Sequence, residues 1–131
     1  MIFKQVFDQK SSTYTYFIAS AKGREALIID PVIENVRNYI EILNKLDLKL
    51  VKVIDTHIHA DHVTGASKLK AETNCATVMG QNSPADTVDI KVKDNEVLKI
   101  DDLEIKAIYT PGHTSDSYSF LMEKYLFSGD T

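Results

Sequence analysis

Three of the chain's four histidines fall within six residues. They are His57, His59 and His62, and they enclose Asp61 in the sequence His-Ile-His-Ala-Asp-His. Neutral imidazoles and carboxylates are the side chains that bind Zn, Fe, Mn and Ni in proteins. Alternating histidines in an extended loop can direct two ring nitrogens toward one ion. The cluster therefore predicts a metal site.

The fourth histidine and a further aspartate lie in two later loops. His113 follows Pro111 and Gly112, a pair that favours a turn presenting the imidazole. Asp130 follows Gly129, which permits a sharp turn of the backbone. Any one of these polar residues alone is better explained as a loop cap. All four histidines and two aspartates in three such loops favour the metal site instead.

Each of these loops follows a predicted strand. The histidine cluster follows residues 48–55, His113 follows 103–109, and Asp130 follows 125–127. Open α/β sheets place their ligand sites at the carboxyl ends of strands. We therefore expect the three loops to converge.

The remaining pattern predicts an α/β fold with an antiparallel part. Residues 25–55 are typical of a strand, a helix and a parallel strand, because apolar residues recur at spacings of three and four between Val36 and Leu46. Residues 63–72 predict a second helix, and residues 81–94 a surface loop. The further predicted strands cover residues 2–7, 14–20, 75–79, 96–100 and 118–122.

Composition excludes several classes of function. The chain has 131 residues, with 15 Lys and Arg against 19 Asp and Glu, a net charge of −4. This balance gives no basic surface for nucleic acid or anionic lipid. The start of the chain lacks a signal-peptide pattern, and no apolar run approaches the roughly 18 residues of a membrane span. The single Cys75 fits a reducing compartment, so we expect a cytoplasmic protein.

The three loops also carry a family resemblance. Residues 56–62, 110–114 and 128–131 resemble the metal motifs of the metallo-β-lactamase fold. Residues 59–65 (HADHVTG) and 111–120 (PGHTSDSYSF) are more similar to the persulfide dioxygenase branch than to the glyoxalase II branch, which shows Asp-His-x-Gly-Gly after the cluster. The resemblance implies an αββα sandwich. It also implies that residues 1–131 form the N-terminal half of this domain, truncated after Ser-Gly-Asp-Thr.

The resemblance further implies a reaction and a ligand set. In the dioxygenase branch one Fe(II) per chain is held by the residues matching His57, His113 and Asp130, which are then the catalytic centre. The residues matching His59, Asp61 and His62 hydrogen-bond water or the ligands. The expected reaction oxidises glutathione persulfide with O2 to sulfite and glutathione.

The glyoxalase II alternative uses the same six residues for two zinc ions. His57, His59 and His113 would bind one ion, Asp61 and His62 the other, and Asp130 would bridge them in a thioester hydrolase. This site normally includes one more histidine downstream, and the sequence has none left, which weakly favours the mononuclear reading. A third alternative is an inactive fragment, or one completed by pairing. Because a half domain exposes a sheet face and edge, we expect a homo-oligomer.

Other residues have two open interpretations. Residues 115–118 either orient His113 or line the pocket, or they form a plain polar loop that turns into a strand. Asp55 and Thr56 either brace the histidine loop or simply end a strand. Cys75 is expected to be a small buried apolar residue.

Overall fold

The computed structural model describes residues 1–57, 64–83, 88–112 and 115–128. Ten strands and two α-helices follow one another along these residues, with a single 3-10 turn before the first helix. In chain order they are β1 (Ile2–Asp8), β2 (Thr13–Ala19), β3 (Glu25–Ile29), the 3-10 turn (Ile33–Asn35), α1 (Val36–Lys45), β4 (Lys49–Ile54), α2 (Ala66–Thr73), β5 (Ala76–Gly80), β6 (Ile90–Val92), β7 (Val97–Ile100), β8 (Leu103–Tyr109), β9 (Tyr118–Met122) and β10 (Tyr125–Phe127).

The strands form two sheets. The larger has the order β1-β2-β3-β4-β5-β6, and the smaller has the order β10-β9-β8-β7. In the larger sheet β1, β2 and β3 pair antiparallel, whereas β3, β4, β5 and β6 pair parallel. The smaller sheet is antiparallel throughout. The predicted strand-helix-strand unit with a parallel pair is therefore confirmed.

The central strands β3, β4 and β5 of the larger sheet are mostly buried on both faces, which explains their apolar runs. Val53 faces the helices, where it packs with Phe17, Ile28 and residues of α1 and α2. Its neighbour Ile54 faces the smaller sheet and joins the core between the sheets. Layers of helix, sheet and sheet follow, which confirms the predicted α/β sandwich class.

Helix α1 buries one stripe against this sheet. Val36, Tyr39 and Leu43 are buried at spacings of three and four, as the sequence pattern predicts. Helix α2 ends at Asn74, which adopts a left-handed conformation (φ 60°) and donates its backbone N–H to the carbonyl of Lys70. Within the described residues, neither helix is long and apolar enough to cross a membrane.

The predicted surface loop at 81–94 is wrong in one part. Ile90–Val92 forms β6, which pairs parallel with β5, and Val92 is fully buried. Two apolar residues that flank Lys91 among charged neighbours form too short a pattern to predict a strand. The second helix also begins at Ala66 rather than 63, because Thr64 instead forms a bridge with Val32.

Candidate metal centre

His57 is the predicted ligand that the structure describes. The other five, His59, Asp61, His62, His113 and Asp130, lie outside the described residues. Within the described part of the chain, no three His, Cys, Asp or Glu side chains gather as a metal site. The geometry of the centre is therefore built from His57 and from the residues that flank the three loops.

His57 is held at the carboxyl end of a central strand. It follows β4, which pairs parallel with a strand on each side, and its side chain is only 2% exposed. Its Nδ1 atom lies 2.9 Å from the hydroxyl oxygen of the fully buried Thr56. A buried imidazole with one ring nitrogen hydrogen-bonded is the usual state of a metal-binding histidine.

Thr56 is in turn held by the carboxylate of Asp30. The backbone N–H of Thr56 donates to Oδ1 of Asp30 at 2.8 Å, and its hydroxyl donates to Oδ2 at 2.8 Å. Asp30 follows β3, the strand next to β4, and is 3% exposed. The parallel pairing places the two strand ends side by side, so Asp30 reaches Thr56 directly.

Asp30 adopts an uncommon backbone conformation. Its φ is +56°, in the left-handed region that a non-glycine residue rarely occupies. Two hydrogen bonds hold it there, from its backbone N–H to the carbonyl of Ile54 at 2.7 Å and from the Thr15 hydroxyl to its carbonyl at 2.7 Å. Such strained residues concentrate at functional sites.

The residues that follow the histidine cluster are also anchored. Thr64 forms an antiparallel bridge with Val32, and Gly65 donates its backbone N–H to the carbonyl of Pro31 at 2.9 Å. A Cβ atom on Gly65 would lie 2.8 Å from a methyl carbon of Val36, so the close approach requires glycine. The described residues on either side of the cluster, Thr56 before it and Thr64 and Gly65 after it, therefore lie beside the end of β3.

The smaller sheet meets this edge through Tyr118. Its backbone N–H donates to the carbonyl of Thr56 at 2.8 Å, which joins the start of β9 to the end of β4. Its hydroxyl donates to Oδ1 of Asn82 at 3.1 Å, and burial raises the pKa of this phenol, so it stays a neutral donor. Tyr118 is fully buried and is the first residue of β9, whereas a role of residues 115–118 toward His113 stays a prediction.

The loop that contains His113 is closed at its base. Thr110 donates its backbone N–H to the carbonyl of Ser117 at 3.0 Å, and its hydroxyl lies 2.8 Å from that of Ser119. These contacts join the end of β8 to the start of β9. Together with the bond between Tyr118 and Thr56, they place the bases of two of the three predicted loops at one edge.

The base of the third loop lies near the same edge. Phe127, the last residue of β10, packs its ring 4.9 Å from that of Tyr16. Tyr16 pairs with Ile29, the residue immediately before Asp30. The strand ends from which all three metal motifs depart are therefore close to one another, as predicted.

Sequence reasoning missed Asp30. The pattern of residues 25–55 predicts only a strand around this position, although Thr56, which Asp30 holds, is predicted as a possible brace of the histidine loop. The sequence does carry a signal, since Asp30 directly follows the strand before α1, and that strand is expected to pair parallel with the strand before the histidines. An aspartate at that position is adjacent to the start of the histidine loop.

Comparison with known proteins agrees with this arrangement. Residues 9–87 match the model of the metallo-beta-lactamase superfamily. The chain is 32% identical over 133 aligned residues to the mitochondrial persulfide dioxygenase ETHE1 of Mus musculus, covering 99% of this chain and 52% of that protein. It is 34% identical to a hydroxyacylglutathione hydrolase of Dictyostelium discoideum, covering 90% of this chain and 47% of that protein.

A solved structure extends this similarity to three dimensions. The crystal structure of ETHE1 from Myxococcus xanthus superposes with a TM-score of 0.92 at 40% identity, covering 96% of this chain and 56% of that one. The chain thus spans about half the length of the relatives it matches. The resemblance inferred from the metal motifs is confirmed, and the family implies a metal cofactor. The chain belongs to the metallo-beta-lactamase superfamily.

Proposed function

We propose that this chain carries the metal-binding part of a persulfide dioxygenase. The reaction is the oxidation of glutathione persulfide by O2 and water to sulfite and glutathione. The observation that carries the proposal is the similarity to a persulfide dioxygenase over 99% of the chain. The motif His-Ala-Asp-His-Val-Thr-Gly, which resembles this branch rather than glyoxalase II, supports it further.

The proposed cofactor is one Fe(II), held by His57, His113 and Asp130. The described member of this set fits a metal, because His57 is buried and hydrogen-bonded at Nδ1. When bound, iron on a face of two histidines and one carboxylate supplies open positions for O2 and a persulfide sulfur. In this proposal His59, Asp61 and His62 hydrogen-bond water or the ligands.

The chain's own residues provide the rigid surroundings that such chemistry needs. Asp30 and Thr56 keep the His57 ring in one position, and Tyr118 fastens the backbone of Thr56 to the smaller sheet. All of these side chains are buried, so water does not compete for their hydrogen bonds. A fixed imidazole aligns reactants on its metal without further ordering cost.

Elemental analysis of protein purified without chelators tests the proposal. We expect close to one iron per chain, followed by oxygen uptake with glutathione persulfide. About two zinc ions per chain would instead support the hydrolase. A chain that retains no metal would contradict the assignment of a complete site to these residues.

A dinuclear zinc thioester hydrolase is the second candidate. The similarity to a hydroxyacylglutathione hydrolase over 90% of the chain favours it. In this alternative His59 is a direct ligand, whereas in the dioxygenase it is not. The two schemes therefore differ in what the loss of His59 does to the metal.

Two histidine variants separate the schemes. We expect His113→Ala to abolish metal retention, because it removes a ligand in the mononuclear site. We expect His59→Ala to lower affinity or rate about 10- to 100-fold while metal is retained. Metal content per chain is the measurement, and equal loss in both variants would support the dinuclear site.

Homo-oligomerisation and a cytoplasmic location remain predictions. The smaller sheet carries exposed apolar side chains on its outer face, with Val97 45% and Leu126 57% exposed. Apolar surface of this kind favours association. Light scattering tests it, and a stable monomer would contradict the prediction.

A further inference from the structure

We propose that Asp30 and Thr56 are positioning residues that set the tautomer of His57. They hold the ring hydrogen on Nδ1, so that Nε2 carries the lone pair directed at the metal. The inference rests on the part of the proposed function that makes His57 a metal ligand. It depends neither on which metal is bound nor on which reaction follows.

The directions of the hydrogen bonds carry the argument. The Thr56 hydroxyl donates its single hydrogen to Oδ2 of Asp30 at 2.8 Å. The oxygen of that hydroxyl is then left to accept from Nδ1 of His57 at 2.9 Å. A neutral imidazole with its hydrogen on Nδ1 has its lone pair on Nε2.

The position of Asp30 is fixed by a second directed chain. The backbone N–H of Val32 donates to the hydroxyl oxygen of Tyr39 at 3.0 Å. The Thr15 hydroxyl donates to the carbonyl of Asp30, so the 3.0 Å contact between Tyr39 and Thr15 has Tyr39 as its donor. A continuous path of buried groups therefore leads from helix α1 to the backbone carbonyl of Asp30, and it holds the uncommon φ of this residue.

One nearly isosteric substitution reverses the relay, by which we mean the hydrogen bonds that run from His57 through the Thr56 hydroxyl to Asp30. In Asp30→Asn the amide oxygen can still accept from the Thr56 backbone N–H, but the amide nitrogen must donate to the Thr56 hydroxyl oxygen. The hydroxyl hydrogen is then free to be donated to Nδ1, which moves the ring hydrogen to Nε2. Asparagine tolerates the left-handed region, so the backbone conformation is preserved.

The imidazole nitrogens of His57 report the tautomer directly. We would record 15N spectra of the metal-free chain at a pH where the ring is neutral, with the resonances assigned by their loss in His57→Gln. We expect Nδ1–H in the natural chain and in Thr56→Ser, which keeps the hydroxyl. We expect Nε2–H in Asp30→Asn, and a mixture of the two tautomers in Thr56→Val.

Zinc binding, measured by competition with a chelator, provides the second readout. Asp30→Asn and Thr56→Val should bind about 10- to 100-fold more weakly, and Thr56→Ser should bind as the natural chain does. Thr77→Val is the matched control, because Thr77 is also a buried threonine whose hydroxyl donates to a carboxylate, that of Asp89. It should leave both the tautomer and zinc affinity unchanged.

Nε2–H in the natural chain, or Nδ1–H retained in Asp30→Asn, would overturn the inference. If Asp30→Asn fails to fold, the pair Thr56→Ser and Thr56→Val still decides it, since a merely structural role predicts no change of tautomer in either. The spectra are taken without metal or substrate. A failure of the iron or dioxygenase assignment is therefore distinguishable from a failure of the relay.

Discussion

Two aspartates in this molecule are clamped by threonines in nearly the same way. Asp30 accepts from the backbone N–H and hydroxyl of Thr56, both at 2.8 Å. Asp89 accepts from the backbone N–H of Thr77 at 2.9 Å and from its hydroxyl at 3.2 Å. Thr56 follows β4 and Thr77 lies in the adjacent β5, so the two clamps belong to neighbouring strands.

The third group of each clamp differs. At Asp89 it is Lys70 of α2, whose Nζ lies 2.6 and 2.8 Å from the two carboxylate oxygens, and the Asp89 side chain is 34% exposed. At Asp30 it is His57, reached through the Thr56 hydroxyl, and both Asp30 and Thr56 are buried. The surface clamp at Asp89 fastens helix α2 to the sheet. The buried clamp at Asp30 instead orients the imidazole of His57. The same local chemistry thus serves structure or function according to its third partner.

The largest expected difference between the clamps is in stability. Asp30→Ala leaves the N–H and hydroxyl of Thr56 buried without that acceptor, which should cost about 2–5 kcal/mol of unfolding free energy. Asp89→Ala should cost less, because water can reach the groups left behind. Urea unfolding of both variants measures the difference. Equal losses would contradict the distinction between a buried and a surface clamp.

Gly80→Ala should disturb the buried clamp from a distance. A Cβ atom on Gly80 would overlap the ring of Tyr118, whose backbone N–H holds the carbonyl of Thr56. Overpacking of this kind costs about 1–3 kcal/mol. We expect this loss in urea unfolding, together with weaker zinc binding.

Gly65→Ala is the matched control for Gly80→Ala, because an added Cβ at Gly65 would also lie too close to a neighbouring side chain. A Cβ on Gly65 would press on Val36 rather than on Tyr118, so Gly65→Ala should destabilise without moving Thr56 through that ring. If Gly80→Ala left both unfolding and zinc binding unchanged, Tyr118 would not be the brace that we describe.

Much of this arrangement is predictable from sequence, for physical reasons. Long strands and α1 carry clear periodicity because their faces are buried, and the histidine cluster is a dense local signal. β6 was missed because three residues are too few to show a period. The partnership of Asp30 with Thr56 was missed because it joins residues 26 positions apart, and only the parallel pairing of β3 and β4 brings them together.

The stability contributed by the surface clamp at Asp89 should decrease in acid, and this is the smallest of the expected effects. The hydrogen bonds from Lys70 and from the backbone of Thr77 lower the pKa of Asp89 below its usual value of 3.8. A carboxyl whose pKa is lower in the folded chain contributes stability above its unfolded pKa, and this contribution is lost as the pH falls through the folded value. The stability difference between the natural chain and Asp89→Asn should therefore be full near pH 6 and shrink steadily below about pH 4. Because the pair is exposed, the difference should also shrink in high salt. Urea unfolding across this pH range measures it, and a difference that stays constant into acid would show that charge on Asp89 does not stabilise the clamp.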